Sequence, residues 1–366
     1  MNNDLLYQIA LTLVPNIGDV HAKALVHIYG DAQSIFKARK KDLEAIEGIG
    51  TVRAKSIRDF IDFSPCEAEI QFIEKYKIEP LFLTNKNYPQ RLLNAYDSPA
   101  LLYYRGNIDL NYTKIISIVG TRNNSEYGKL VTEKLIEELA EQNILVVSGL
   151  AFGIDTIAHK AALKNNLPTI GVLAHGLDRI YPLQNKTLAK QMTAHGGLLT
   201  DFMSNTNPDK QNFPKRNRIV AGMCDAIVVV ESGKKGGSLI TAELANGYNK
   251  DVLAFPGKTT DNKSEGCNYL IKQNKASLIT AATDLLELMN WLPKEKTAHS
   301  KQRELFIELT ADEKIIVDIL QQQESISIDQ LYFKSALSSS AVAQALLMLE
   351  MQGIVASLPG KVYKLL

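Results

Sequence analysis

Three glycine-rich segments and one run of cations hold the residues best suited to chemistry in this chain of 366 residues. The segments are Gly120-Thr121-Arg122-Asn123-Asn124-Ser125, Ser148-Gly149-Leu150-Ala151-Phe152-Gly153-Ile154-Asp155 and Ser232-Gly233-Lys234-Lys235-Gly236-Gly237-Ser238. Each follows a short apolar run and places glycine beside a hydroxyl or a cation. Glycine lets the backbone approach a ligand closely, and free amides at the start of a helix favour an anion, so phosphate is the natural guest. One such loop can serve chain reversal alone; three of them point to a site. The run Lys210 to Arg218 has four cations and no acid in nine residues, and it leads into the apolar Ile219-Val-Ala-Gly-Met223. Its bland counterpart is a solvated charged face. Phe152 and Phe213 are candidates for stacking on bases, with core packing the equal alternative for Phe213.

Enzyme templates fit poorly, and no cofactor or metal is expected. The first segment lacks the second and third glycines of the dinucleotide fingerprint, and Gly257-Lys258-Thr259 would need glycine at Val252 to end a P-loop. The six histidines show no metal-ligand spacing, and His159 reads as a packed or surface helix residue and not as a base. No G-x-S-x-G elbow occurs. Cys66, Cys224 and Cys267 are odd in number and far apart, which suggests neither disulfides nor a zinc site.

The elements that position these loops alternate between apolar runs and amphipathic stretches from Lys114 onward. Ile115-Ile-Ser-Ile-Val119, Ile144 to Val147, Thr169 to Leu173, Gly197 to Thr200, Ala226 to Val230 and Asp251 to Phe255 read as six strands. Helices lie between them, the first from Tyr127 to Gln142. Such βαβ units imply an α/β fold, a Rossmann-like doubly wound parallel sheet, whose ligands bind beyond the carboxyl ends of the strands. The loops and the cation run then share one sheet edge.

Four regions follow: a helical helix-hairpin-helix (SAM-like) domain over 1–64, the extended Rossmann-like domain over 65–291, a linker over 292–309, and a winged-helix domain over 310–366. The first holds a repeat at an offset of 32 residues, Ile17-Gly18-Asp-Val-His-Ala-Lys23 against Ile49-Gly50-Thr-Val-Arg-Ala-Lys55. Residues 65–113 carry Pro65, Pro80, Pro89 and Pro99 and read as a connection with few regular elements, although Leu101 to Gly106 could be a strand. Thr310-Ala-Asp-Glu313 is a capping box opening three helices and a hairpin that turns at Pro359-Gly360. With 41 Lys+Arg against 40 Asp+Glu, any affinity for nucleic acid must come from local clustering. The absence of a leader or a long apolar run places the expected protein in a reducing cytoplasm with no membrane partner.

Five motifs in fixed order resemble the DNA-processing protein A family, also called DprA or Smf. They are Gly-Thr-Arg at 120–122, Ser-Gly-Leu-Ala-Phe-Gly-Ile-Asp at 148–155, Gly-Leu-Asp-Arg-Ile-Tyr-Pro at 176–182, Phe-Pro-Lys-Arg-Asn-Arg-Ile-Val-Ala-Gly at 213–222 and Gly-Gly-Ser-Leu-Ile-Thr-Ala at 236–242. The resemblance covers about residues 80 to 290. It implies a non-enzymatic homodimer that binds and protects single-stranded DNA and loads the RecA recombinase during natural transformation. It also implies phosphate contacts at Arg122, Lys215, Arg216, Arg218 and Lys235, and a groove lined by Ser148, Gly149, Gly237 and Ser238, with Phe152, Asn217 and Gly236 beside them. The alternative is a nucleotide-processing enzyme like the phosphoribohydrolases, with Glu243 as its acid. A transcriptional regulator fits less well, because the third helix of the winged domain offers no cation to base edges.

Overall fold

The computed structural model describes residues 3–292, 309–323, 325–358 and 361–365. They fall into two compact units, Met1–Leu292 and Pro293–Leu366. The expected linker lies almost wholly outside the described residues, as do Pro359 and Gly360.

In the first unit, apolar runs become strands because both their faces are covered. The strands are β1 (Glu79–Phe82), β2 (Leu101–Gly106), β3 (Lys114–Val119), β4 (Ile144–Ser148), β5 (Thr169–Val172), β6 (Gly196–Thr200), β7 (Ala226–Val229), β8 (Asp251–Ala254) and β9 (Ser277–Leu278). They form one sheet in the order β1-β2-β6-β5-β4-β3-β7-β8-β9. From β6 to β9 all pairs are parallel; β1 with β2 and β2 with β6 are antiparallel. Ile115, Val147 and Ile227 enter the core on one face, while Ile116, Val146 and Val228 enter the core on the other. This alternation within a continuous apolar run marks a strand buried on both sides. The Asn212–Gly222 and Gly237–Gly247 helices cover the first face, and the Glu126–Glu138 and Ile154–Lys164 helices the second.

The expected sheet of six strands is corrected to nine, and residues 65–113 are more regular than their prolines suggest. They supply the Ser64–Tyr76 helix together with β1 and β2. Pro80 is tolerated because β1 is an edge strand, where a missing amide leaves no ladder bond unmade.

Both N-terminal hairpins form. In the second, Gly48 and Gly50 have φ of 81° and 59°. In the first, Asn16 takes the position of Gly48 and adopts φ 65°, which asparagine tolerates better than other side chains do. Arg53 joins the two, donating from Nε to the Asn16 carbonyl (3.0 Å) and from Nη1 to the Gly48 carbonyl (2.9 Å). All three cysteines are free and buried. No helix among the described residues is long and apolar enough to cross a membrane.

The second unit has the expected three helices, Ala311–Gln321, Ile328–Ser335 and Ser339–Met351, the first opened by the Thr310–Glu313 capping box. Its sheet has a third strand beyond the expected hairpin. β10 (Ile326–Ser327) pairs with β12 (Val362–Leu365), which pairs with β11 (Val355–Leu358).

Candidate nucleic-acid interface

The strand order reverses at β3, which has β4 on one side and β7 on the other. Crevices of doubly wound sheets open at such a reversal, beyond the carboxyl ends of the strands. Here it is a cleft of about 670 Å³, lined by Gly120 to Arg122, Gly149, Ala151, Asp155, Tyr181, Pro208, Lys210, Phe213, Pro214, Arg216, Asn217, Ser232, Gly233 and Gly236 to Ser238 among others. The three glycine loops therefore meet at one site.

Short backbone contacts fix the loops to one another. Thr121 donates its amide to the Glu231 carbonyl (2.8 Å), and Ile154 donates to the Thr121 carbonyl (3.2 Å). Gly153, at φ +75°, passes so close that a β-carbon there would lie 2.2 Å from the Thr121 oxygen. Buried Glu231 accepts from the Ser125 amide (2.9 Å) and from its hydroxyl, and Ser125 caps the Glu126–Glu138 helix. Ser238 donates to Ser232 (2.8 Å), folding the third loop over the start of the Gly237–Gly247 helix. That helix has Gly236 as its N-cap and no side-chain cap, so its first amides are open to a ligand.

Above this floor stands an aromatic and cationic wall. The Arg122 guanidinium lies 4.9 Å from the centre of the Phe213 ring, and the Tyr181 ring is 6.1 Å from Phe213 on another side. Arg122, Lys210, Lys215, Lys234 and Lys235 are exposed, and none forms an ion pair with a carboxylate among the described residues. Phe152 is exposed at the mouth, beside a narrow crevice bounded by Tyr181, Phe213 and Arg122.

The cation run does not behave as one exposed loop. It lies in the Asn212–Gly222 helix, where residues two apart point about 200° from each other. Lys215 is exposed, but Arg216 is 4% exposed and reaches under the cleft, donating to the carbonyls of Gly149 and Val172. Burial pushes its pKa down to about 10, opposed by the nearby carboxylate of Asp155, whose own pKa burial raises. Asn217, half-buried, accepts from Arg216 Nε (3.1 Å). Arg218 does not line the cleft. It points behind it, 2.7 Å from Asp201 and 2.8 Å from Asp19. The phosphate contacts expected at Arg216 and Arg218 do not fit these positions: Arg216 is buried and Arg218 half-buried, and each directs its charge at groups of the protein itself. Ser148 is buried, and its hydroxyl donates to the Ile118 carbonyl (2.6 Å). Glu243, the acid of the enzyme alternative, is exposed, pairs with Lys275 (3.3 Å) and is not among the residues lining the cleft.

A family model described as DNA recombination-mediator protein A matches residues 79–290, more than half of the chain. The chain belongs to that family. Its flanks match a DprA winged helix domain over residues 302–361 and a helix-hairpin-helix motif over 8–67. Protein Smf of Synechocystis is 32% identical over 99% of both chains. The structure of DNA processing protein A from Streptococcus pneumoniae superposes with a TM-score of 0.68 at 34% identity, covering 77% of this chain and 97% of that one. That of the Helicobacter pylori protein, solved to show its single-stranded DNA binding mode, gives 0.53 at 30% identity over 58% of this chain and 96% of that one.

Of the residues expected at the site, Arg122, Gly149, Arg216, Asn217, Gly236, Gly237 and Ser238 line the cleft. Phe152 borders the adjoining crevice, and Lys215 and Lys235 stand exposed within the lining segments. Lys210 and Tyr181 join them beyond the expected contacts. Lys210 is the first cation of the run, and Tyr181 lies in the Gly-Leu-Asp-Arg-Ile-Tyr-Pro motif, so both carried a signal.

Proposed function

We propose that the cleft binds single-stranded DNA along its phosphate backbone, without reading base identity. The observation that carries this reading is the set of exposed cations, unpaired among the described residues, around an open helix N-terminus, with Phe213 between Arg122 and Tyr181. Cations without carboxylate partners meet phosphates and release counterions, and rings offer a surface on which any base can stack. The likeness to the Helicobacter pylori protein supports the choice of ligand.

In this reading Arg122, Lys215 and Lys235 contact phosphates, Gly236, Gly237 and Ser238 present the third loop, and Arg216 with Asn217 shapes the floor. The chain works as a cytoplasmic homodimer without an enzymatic step, protecting incoming DNA and handing it to RecA in natural transformation. Those last roles rest on family membership. The test is a competition between a single strand and a duplex of equal length at several salt concentrations, with nucleotide hydrolysis followed in parallel. Preference for the single strand, with log affinity falling by about 0.7 per neutralised phosphate for each unit of log salt, supports the reading. Equal affinity for the duplex, or turnover of nucleotide, contradicts it.

A further inference from the structure

The back of the cleft wall is held by two acidic side chains from the N-terminal helices, and we propose that Asp19 and Glu69 are positioning residues for single-strand binding. The inference rests on the cleft being the single-strand site. It concerns residues that no DNA strand in the cleft would touch.

Asp19 opens the Asp19–Tyr29 helix. One carboxylate oxygen lies 2.8 Å from Arg218 Nη2, and the other accepts from the Ala100 amide at 2.9 Å. Arg218 also pairs with Asp201 at 2.7 Å and donates to the Asp97 carbonyl. Asp201 directly follows β6 and starts the segment 201–211, which carries Pro208 and Lys210 to the cleft and runs into the Asn212–Gly222 helix. Three residues further on, Ser204 donates its amide (3.0 and 3.1 Å) and its hydroxyl (2.5 Å) to Glu69, a side chain 2% exposed in the Ser64–Tyr76 helix. Lys23 of the Asp19–Tyr29 helix donates to the carbonyls of Leu93 (2.5 Å) and Ala95 (2.7 Å), and Leu92 packs against Gly222 at the end of the same cleft helix.

The wall bearing Lys210, Phe213 and Lys215 is thus anchored at 201, 204, 218 and 222, and none of these residues lines the cleft. Between 201 and 211 no helix or strand holds the chain, so these anchors, together with the bonds of Asn205 to Asp178, of Asn207 to Arg179 and of Thr206 to the Gly176 amide, order it before a ligand arrives. Ordering met during folding is not charged against binding, which is the physical content of preorganisation.

Coulomb's law gives the idea a sharp sign. Asp19→Asn and Glu69→Gln each remove a negative charge near a polyanion site, so a purely electrostatic effect would tighten binding. Positioning predicts the reverse. The experiment measures affinity of the full chain for a thymidine oligonucleotide at several salt concentrations, beside hydrogen exchange of residues 201–218 in the free protein. Each variant is expected to bind about 2- to 30-fold more weakly with the wild-type salt slope and to exchange faster across 201–218, while Asp19→Glu, which keeps the carboxylate, loses less than Asp19→Asn. Lys215→Ala, by contrast, should lower the slope by about 0.7 and leave exchange unchanged. Unchanged or tighter binding, or unchanged exchange, overturns the proposal. If an isosteric variant unfolds, Ser204→Ala carries the same test at the second anchor. A wild-type chain that fails to bind single strands defeats the reading of the cleft instead, while the exchange data still decide the anchoring.

Discussion

The guanidinium of Arg216 occupies the space beside the Gly149 α-carbon, so closely that a β-carbon at 149 would lie 2.5 Å from Nη1. Gly149 is therefore required by a buried side chain. Arg216 in turn donates to the buried carbonyls of Gly149 and Val172, and removing it takes that donor from both. Arg216→Ala is expected to cost about 1–3 kcal/mol of stability by leaving buried acceptors unsatisfied, and Gly149→Ala about 1–3 kcal/mol by overpacking. Urea denaturation measures both. An Arg216→Ala protein as stable as wild type would show that the buried network contributes nothing.

Phe213 is half-buried between a guanidinium and a second ring. If bases stack there, Phe213→Ala should lose roughly 1–3 kcal/mol of single-strand affinity while keeping the wild-type salt slope, since no phosphate contact is removed. Phe213→Tyr should bind nearly normally. Loss of melting temperature without loss of affinity would return Phe213 to the core.

His159 gives a pH signature. It is fully buried, with Nδ1 2.7 Å from Thr169 Oγ1, and burial together with the charge of Arg216 pushes its pKa from 6.5 down to about 3. The native state therefore holds it neutral, and unfolding takes up a proton between those values. Stability from this group is present above pH 6.5 and is lost on acidification at up to about 1.4 kcal/mol per pH unit. His175, also held down by burial, acts in the same direction. Between pH 7.5 and 5.5 the wild type should lose about 1.4 kcal/mol more than His159→Gln. Identical pH dependence of the two proteins in urea would contradict this.

The parallel strands were legible because runs such as Ile115 to Val119 are apolar on both faces, and that pattern survives without knowledge of any partner. The glycine loops were legible because each directly follows such a run. β1 was hidden by Pro80 and by its length of four residues, and β9 has only two. The roles of Arg216 and Arg218 could not be read from the cation run. What separates them from Lys215 is the face of the helix each leaves and the carboxylates at Asp155, Asp201 and Asp19 that await them, far away in the chain. The same distance in sequence concealed Glu69, whose partner Ser204 lies beyond all six strands from β1 to β6.

The central claim is that exposed cations around the cleft, and not the buried ones, meet the phosphates of a single strand. Its most direct test is a salt titration of single-strand affinity for a variant carrying Arg122→Ala, Lys215→Ala and Lys235→Ala together. All three side chains are exposed and unpaired among the described residues, so the melting temperature should stay close to that of the wild type. Binding should weaken for every sequence, and the slope of log affinity against log salt should shrink by about 2 at ~0.7 per lost contact. A stable variant that keeps both wild-type affinity and wild-type slope would contradict the account.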